Sequence, residues 1–320
     1  MAVYTEVSDG DLTAFVADYG VGEVVSCKGI AEGIENTNYL VETEDGRFIL
    51  TLYERRVRRE ELPFFLELMA HLAAKGVPCP TPLPTREGKV LRELCGRPAA
   101  MVSFLDGMWA RHPGVDHCGA LGDALARLHQ AGADFRLYRA NDLSLAGWRP
   151  LLAASCDHAD AVEPGLAAAL EAELGALEAG WPSGLPAGVI HADLFPDNVF
   201  FRGGALSGII DFYFACIDCF AYDVAVCMNA WCFEADGAFN VTKARRMLDA
   251  YGRVRAFTPA EIDALPVLAR GSALRFLLTR LYDWVHTPKG ALVTPKDPRE
   301  YLGKLRFHQA VSGPGAYGLE

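Results

Sequence analysis

Two short apolar runs that end in polar residues constrain this chain more than any other feature. The first, Val189-Ile190, leads into His191-Ala192-Asp193-Leu194-Phe195-Pro196-Asp197-Asn198, an H-x-D-x-x-x-x-N pattern; the second is Ile209-Ile210-Asp211-Phe212. Residues 198–201 read as a strand, Arg202-Gly203-Gly204-Ala205 as a tight turn, and residues 207–212 as the returning strand. A hairpin of that length is expected to bring Asp211 back beside Asn198. Carboxylates at the ends of buried strands rarely lack a charge partner. An H-x-D triplet alone is common, and Asp-Asn pairs more often form turns than bind ligands. Three polar groups in this order, set among apolar strands and joined by one hairpin, are far more specific.

That order is the one phosphoryl transfer from Mg-ATP requires. One carboxylate orients the attacking hydroxyl and accepts its proton, while an amide oxygen and a second carboxylate hold the metal. Asp193 fits the first role, and Asn198 and Asp211 fit the second, as Mg²⁺ ligands.

Composition limits the alternatives. A chain of 320 residues, 51% of them apolar, can bury a large core, and mean hydropathy is slightly positive at +0.12. The net charge of −11 argues against nucleic acid, since no basic stripe offers counterion release. No apolar run approaches membrane-spanning length, and the first residues lack the pattern of a secretory signal. Nine scattered cysteines suit reduced thiols in the cytoplasm.

The pattern changes character once along the chain. Up to about residue 104 it reads mostly as strands, near residues 24–28, 39–42, 48–53, 90–93 and 99–104, with one helix at residues 60–75 carrying Phe65, Leu68, Met69 and Leu72 at helical spacing. Long helices follow, at residues 116–130 and 164–179 among others. The expected architecture is α+β, a two-lobed protein-kinase-like fold. Residues 1–104 form a small antiparallel-sheet lobe that binds nucleotide, and residues 105–320 a larger, mainly helical lobe for catalysis and substrate. The loop at residues 29–38 is the expected phosphate cover, because its glycines let backbone N–H groups approach closely. Gly29, Gly33 and Asn36 are its candidate ATP contacts, with Met101 and Ser103 ahead of the linker.

The motifs resemble the aminoglycoside phosphotransferase-like branch of the kinase fold and, within it, the bacterial homoserine kinases. The likeness runs through Glu35-Asn36-Thr37-Asn38-Tyr39, Phe48-Ile49-Leu50-Thr51-Leu52, the His191-Ala192-Asp193 block, Ile210-Asp211-Phe212-Tyr213 and Tyr222-Asp223-Val224-Ala225. It implies ATP-dependent phosphorylation of the side-chain hydroxyl of L-homoserine, with Asp193 as catalytic residue. It also implies that His191 and Asp223 support the site structurally, although Asp223 at a helix start could equally be a cap. Choline, an aminoglycoside or a sugar is the alternative acceptor, and a catalytically inactive nucleotide-binding protein the alternative of another class.

Departures from protein kinases favour a small acceptor. Phe195 stands where Ser/Thr kinases carry Lys, Tyr213 follows Asp211-Phe212 in place of Gly, and no Ala-Pro-Glu segment appears. The strand expected to supply a phosphate-binding Lys reads Leu50-Thr51-Leu52, leaving Lys28 as a candidate substitute and Glu61 or Glu67 without a defined role. An amino-acid acceptor needs a partner for its carboxylate, best an Arg fork. Arg275 and Arg280 on an otherwise apolar helix are the candidates, with Tyr213, Asn229 and Trp231 as further pocket residues or ordinary core. Cys216-Ile217-Asp218-Cys219 could be a metal or redox pair, but core thiols explain it better.

Overall fold

The computed structural model describes residues 4–30, 36–54, 57–287 and 295–319. The chain is α+β and divides into two compact units, the first made of the residues up to Gly107 together with Ser207–Tyr213, the second of Met108–Leu206 and Phe214 onward.

The first unit is built on one antiparallel sheet. Helix α1 (Asp9–Ala17) precedes strands β1 (Val24–Gly29), β2 (Thr37–Thr43) and β3 (Gly46–Leu52), then α2 (Leu62–Ala74), β4 (Arg92–Leu94) and β5 (Arg97–Ser103). The strands lie in the order β1-β2-β3-β5-β4. Val41, Leu50, Leu52 and Met101 form its core with Leu12, Phe15 and Val16 of α1. Helix α1 has no counterpart in the sequence reading, although Ser8 marks its start by accepting the Asp11 N–H at 3.2 Å. The expected helix at residues 60–75 opens instead as a 3-10 turn, Arg59–Glu61, and is α-helical only from Leu62. The segment Ser207–Tyr213 belongs here through Ile209, whose N–H donates to the Pro78 carbonyl (2.7 Å), and through Tyr213, whose ring meets Tyr53 and Phe65 edge-on.

The second unit is mainly helical. It holds β6 (Met108–Trp109), α3 (Val115–Ala131), α4 (Leu145–Val162), α5 (Leu166–Gly180), β7 (Ala187–Ile190), β8 (Val199–Arg202) and the start of β9 (Ala205–Ile209). Beyond Tyr213 follow β10 (Cys216–Cys219), α6 (Phe220–Trp231), α7 (Val241–Val254), α8 (Pro259–His286) and α9 (Arg299–Gln309). Helix α8 begins in a capping box: Thr258 Oγ1 accepts the Glu261 N–H at 3.2 Å, and Glu261 Oε2 accepts the Thr258 N–H at 2.9 Å. Helices α3 and α7 approach closely because position 122 is Gly; a Cβ there would sit 2.1 Å from the Met247 carbonyl oxygen. Strand β10 pairs antiparallel with β7, Cys216 opposite Ile190. Between β8 and β9 the turn uses Gly203 and Gly204, with φ of 58° and 83°, as a tight hairpin demands. Among the described residues no helix is long and apolar enough to cross a membrane.

Candidate active site

Strand β7 delivers the chain to His191 at the floor of the second unit. There the segment residues 191–198 is fixed from several directions. Asp223, in the first turn of α6, turns away from its own helix and accepts the His191 N–H at 2.7 Å and the Ala192 N–H at 2.8 Å. It is therefore a brace for the loop, and Cys219 holds the N-cap position of α6. Burial would raise the Asp223 carboxyl, but the hydrogen bonds it accepts, that from His129 foremost, outweigh this and keep it below the usual carboxylate range. His129 Nε2 lies 3.0 Å from Asp223 and its Nδ1 lies 2.8 Å from Tyr251 Oη, which in turn accepts from Arg255 at 3.2 Å. Burial lowers the imidazole of His129 more than Asp223 raises it, so His129 is neutral at pH 7, donating from Nε2 and accepting at Nδ1.

Ala192 has φ of 62°, a left-handed conformation that costs a non-glycine residue about 1–2 kcal/mol. Its peptide groups are held on both sides. Asp223 takes its N–H, and Arg275 Nη1 donates to its carbonyl at 2.7 Å. The same nitrogen of Arg275 lies 3.7 Å from Asp193 Oδ1. The Asp193 side chain is partly exposed, whereas Arg275 is 2% exposed with its guanidinium 3.9 Å over the Phe276 ring. The sequence reading placed Arg275 at the acceptor carboxylate; in the structure its Nη1 is bonded to the loop that carries Asp193. Arg280 is likewise engaged, with Nη1 2.6 Å from Glu300 Oε2.

The rest of the loop is ordered from within. The Asp193 N–H donates to His191 Nδ1 at 3.3 Å, so the imidazole supports the loop. Asn198 Nδ2 donates to the Asp193 carbonyl at 2.8 Å, an orientation that leaves Oδ1 for a hard cation. Asn198 closes a 3-10 turn, Pro196–Asn198, and does not begin the strand as expected. Trp231 Nε1 donates to the Leu194 carbonyl at 2.8 Å, and Asn229 is wholly buried and packs as core.

In the first unit Asp211 follows β9 with φ of 65°. The sequence reading carried the strand through Phe212; it stops at Ile209, and Phe212–Phe214 forms a 3-10 turn. Asn36 is 4% exposed and accepts the Glu54 N–H at 3.3 Å, which ties down the loop's far end. Gly29 ends β1, exposed, and Gly33 lies outside the described residues. Met101 is fully buried in the sheet core, while the Ser103 hydroxyl accepts the Thr81 N–H at 2.9 Å. Thr51, where a phosphate-binding Lys was expected, is also buried and donates to Asn38 Oδ1 at 2.7 Å. Tyr213 Oη donates to Tyr53 Oη at 3.3 Å.

The Cys216–Cys219 pair binds no metal between its own side chains. Residues three apart on a strand point to opposite faces, and burial pushes the Cys219 thiol up to about 12. Among the described residues no cluster of three or more His, Cys, Asp or Glu could hold a metal. All nine cysteines are free thiols.

Sequence reasoning missed His129 and Tyr251. The signal was present: His129 falls on the buried face of α3 with Leu121, Leu125 and Leu128, a polar ring on an apolar stripe.

Residues 26–257 match the model of the phosphotransferase enzyme family. The chain is 64% identical to a homoserine kinase from Paramagnetospirillum magneticum, over the full length of both, and 63% identical to one from Rhodospirillum rubrum, over all of this chain and 99% of that one. Among solved structures it superposes on an aminoglycoside phosphotransferase from Alicyclobacillus acidocaldarius with a TM-score of 0.67, at 14% identity over 95% of each chain.

Proposed function

This chain belongs to the phosphotransferase enzyme family, and from that premise we propose how its residues divide the work of transfer. The reaction is the ATP-dependent phosphorylation of the side-chain hydroxyl of L-homoserine to O-phospho-L-homoserine, a step of threonine biosynthesis. Asp193 orients that hydroxyl and takes its proton late in transfer. The single observation that carries this assignment is the double clamp on Ala192, which holds the partly exposed Asp193 next to it on a loop fixed by Asp223 and Arg275. Asn198, through Oδ1, and Asp211, through its carboxylate, are the Mg²⁺ ligands in this reading; the ion neutralises charge on the phosphates when bound. Hard oxygen donors of that kind suit Mg²⁺. Gly29 and Asn36 frame the nucleotide loop, and the reduced thiols fit the cytoplasm.

The test is steady-state kinetics with L-homoserine and ATP. Asp193→Asn is expected to lower kcat by about 10²–10⁴-fold while the KM for ATP stays near that of the unmodified enzyme. A variant with normal kcat removes Asp193 from the chemistry, and an enzyme active on choline but not on homoserine overturns the acceptor.

A further inference from the structure

The second unit contains an open cavity of about 820 Å³, within the range of small-molecule sites. The catalytic loop forms part of its wall. Pro196, three residues beyond Asp193, lines it, and so does Trp231, whose indole N–H is bonded to Leu194. Glu300 and Lys304 of α9 form another part, and Arg111 a third.

The wall also carries Asp236 and Glu234, the latter paired with Lys243, but on its α9 side the cations outnumber the carboxylate. Glu300 is shared by two cations, Arg280 at 2.6 Å and Lys304 at 2.7 Å. Burial would raise its carboxyl, but Lys304 and Arg280 outweigh that and bring it down to about 2. One negative charge thus serves two positive ones. Lys304 is 7% exposed, an unusual setting for an ammonium group unless it is paired. Among the described residues its Nζ donates to Glu300 Oε1 and, at 3.0 Å, to the Asn229 carbonyl. An ammonium group has three donors; the third makes no hydrogen bond among the described residues, and the group lies 4.3 Å from the Tyr301 ring centroid. Arg111 has no ion pair among the described residues; its guanidinium lies 5.9 Å from the Trp109 ring centroid.

Resting on the homoserine reading, we propose that this cavity is the acceptor site and that Lys304 and Arg111 receive the amino acid's carboxylate. The incoming anion takes the third donor of Lys304 and offsets the surplus charge around Glu300. This relocates the carboxylate site from α8, where Arg275 is committed to the loop, to α9 and the segment before α3. It also accounts for the placement of a lysine on the buried face of α9 among Tyr301, Leu305 and His308.

Selectivity against 3-aminopropanol, which is homoserine without its carboxylate, tests the assignment. In the unmodified enzyme and in Lys304→Met and Arg111→Gln, the KM for homoserine is measured beside turnover or inhibition by 3-aminopropanol. Loss of a charged partner is expected to raise the homoserine KM by about 10–10³-fold in Lys304→Met and about tenfold in Arg111→Gln. The constants for 3-aminopropanol and the KM for ATP stay put, which a general structural defect would not allow. Homoserine selectivity unchanged in both variants overturns the proposal while leaving the homoserine reading intact. If Lys304→Met does not fold, the exposed Arg111→Gln decides alone. An unmodified enzyme inactive on homoserine overturns the underlying reading, and the proposal with it.

Discussion

Replacing Asp223 by Asn changes one atom and should cost the enzyme most of its rate. The carboxylate accepts three hydrogen bonds: His191 N–H and His129 Nε2 on Oδ2, and Ala192 N–H on Oδ1. An asparagine offers one acceptor oxygen and one amino group. Set with its oxygen at the Oδ2 position, it aims the amino group at the Ala192 N–H. Flipped, it aims the amino group at the His191 N–H. Either way two donors face each other and a buried backbone N–H loses its partner; His191 is wholly buried and Ala192 nearly so. Such a loss costs about 1–3 kcal/mol, and weakening the remaining charge-assisted bond adds to it. Ala192, already in a left-handed conformation, then has less to hold it there. A total near 3 kcal/mol, expressed in the transition state, is about a hundredfold in kcat. Near-isosteric packing should preserve the fold. The assay is kcat and both KM values, with circular dichroism and thermal melting on the same samples. A folded Asp223→Asn variant with normal kcat would refute the idea that Asp223 holds the loop in its working geometry.

Two other outcomes follow from packing and titration. His308 is wholly buried, and burial, assisted by Lys304, lowers its imidazole to about 3 from the ordinary value near 6.5. The neutral ring, bonded to Tyr317 and Asn229, contributes stability that is present above pH 6.5 and lost as pH falls from there toward 3. Denaturant unfolding should show about 2 kcal/mol less stability at pH 5 than at pH 7, on a cost of roughly 1.4 kcal/mol per pH unit; a flat profile over that interval contradicts the assignment. Gly122→Ala must force α3 and α7 apart, because the new methyl meets a backbone carbonyl and not a movable side chain. Overpacking of about 1–3 kcal/mol should lower Tm by roughly 1–5 °C, and a melting curve unchanged or shifted upward would show that the helices separate freely.

The sequence was most legible where function restricts residue type. The order of Asp193, Asn198 and Asp211 pointed to phosphoryl transfer because each role demands one kind of oxygen. The sheet strands were readable from alternation, and Gly203-Gly204 from the turn it requires. Short elements were lost for lack of periodicity: α1 spans nine residues, too few for Leu12, Phe15 and Val16 to stand out. Side-chain direction was the larger gap. Arg275 and Arg280 on an apolar helix signalled buried charge correctly, but spacing along α8 does not say that the partner of one is the Ala192 carbonyl and of the other Glu300. Those partners lie 83 and 20 residues away, and only the packed chain brings them together. Asp223 was open between cap and brace for the same reason.

The discontinuity of the first unit has a consequence for how the chain is made. Its sheet is encoded before residue 107, yet Ser207–Tyr213, which belongs to it, is synthesised a hundred residues later. Until that segment leaves the ribosome, Tyr53 and Phe65 lack the Tyr213 ring and the Pro78 carbonyl lacks the Ile209 N–H. The unit nearest the N-terminus therefore cannot be finished first. Its last piece arrives only after α3, α4 and α5 have been translated, so vectorial folding from the N-terminus gives way here to late closure by a stretch that also carries Asp211.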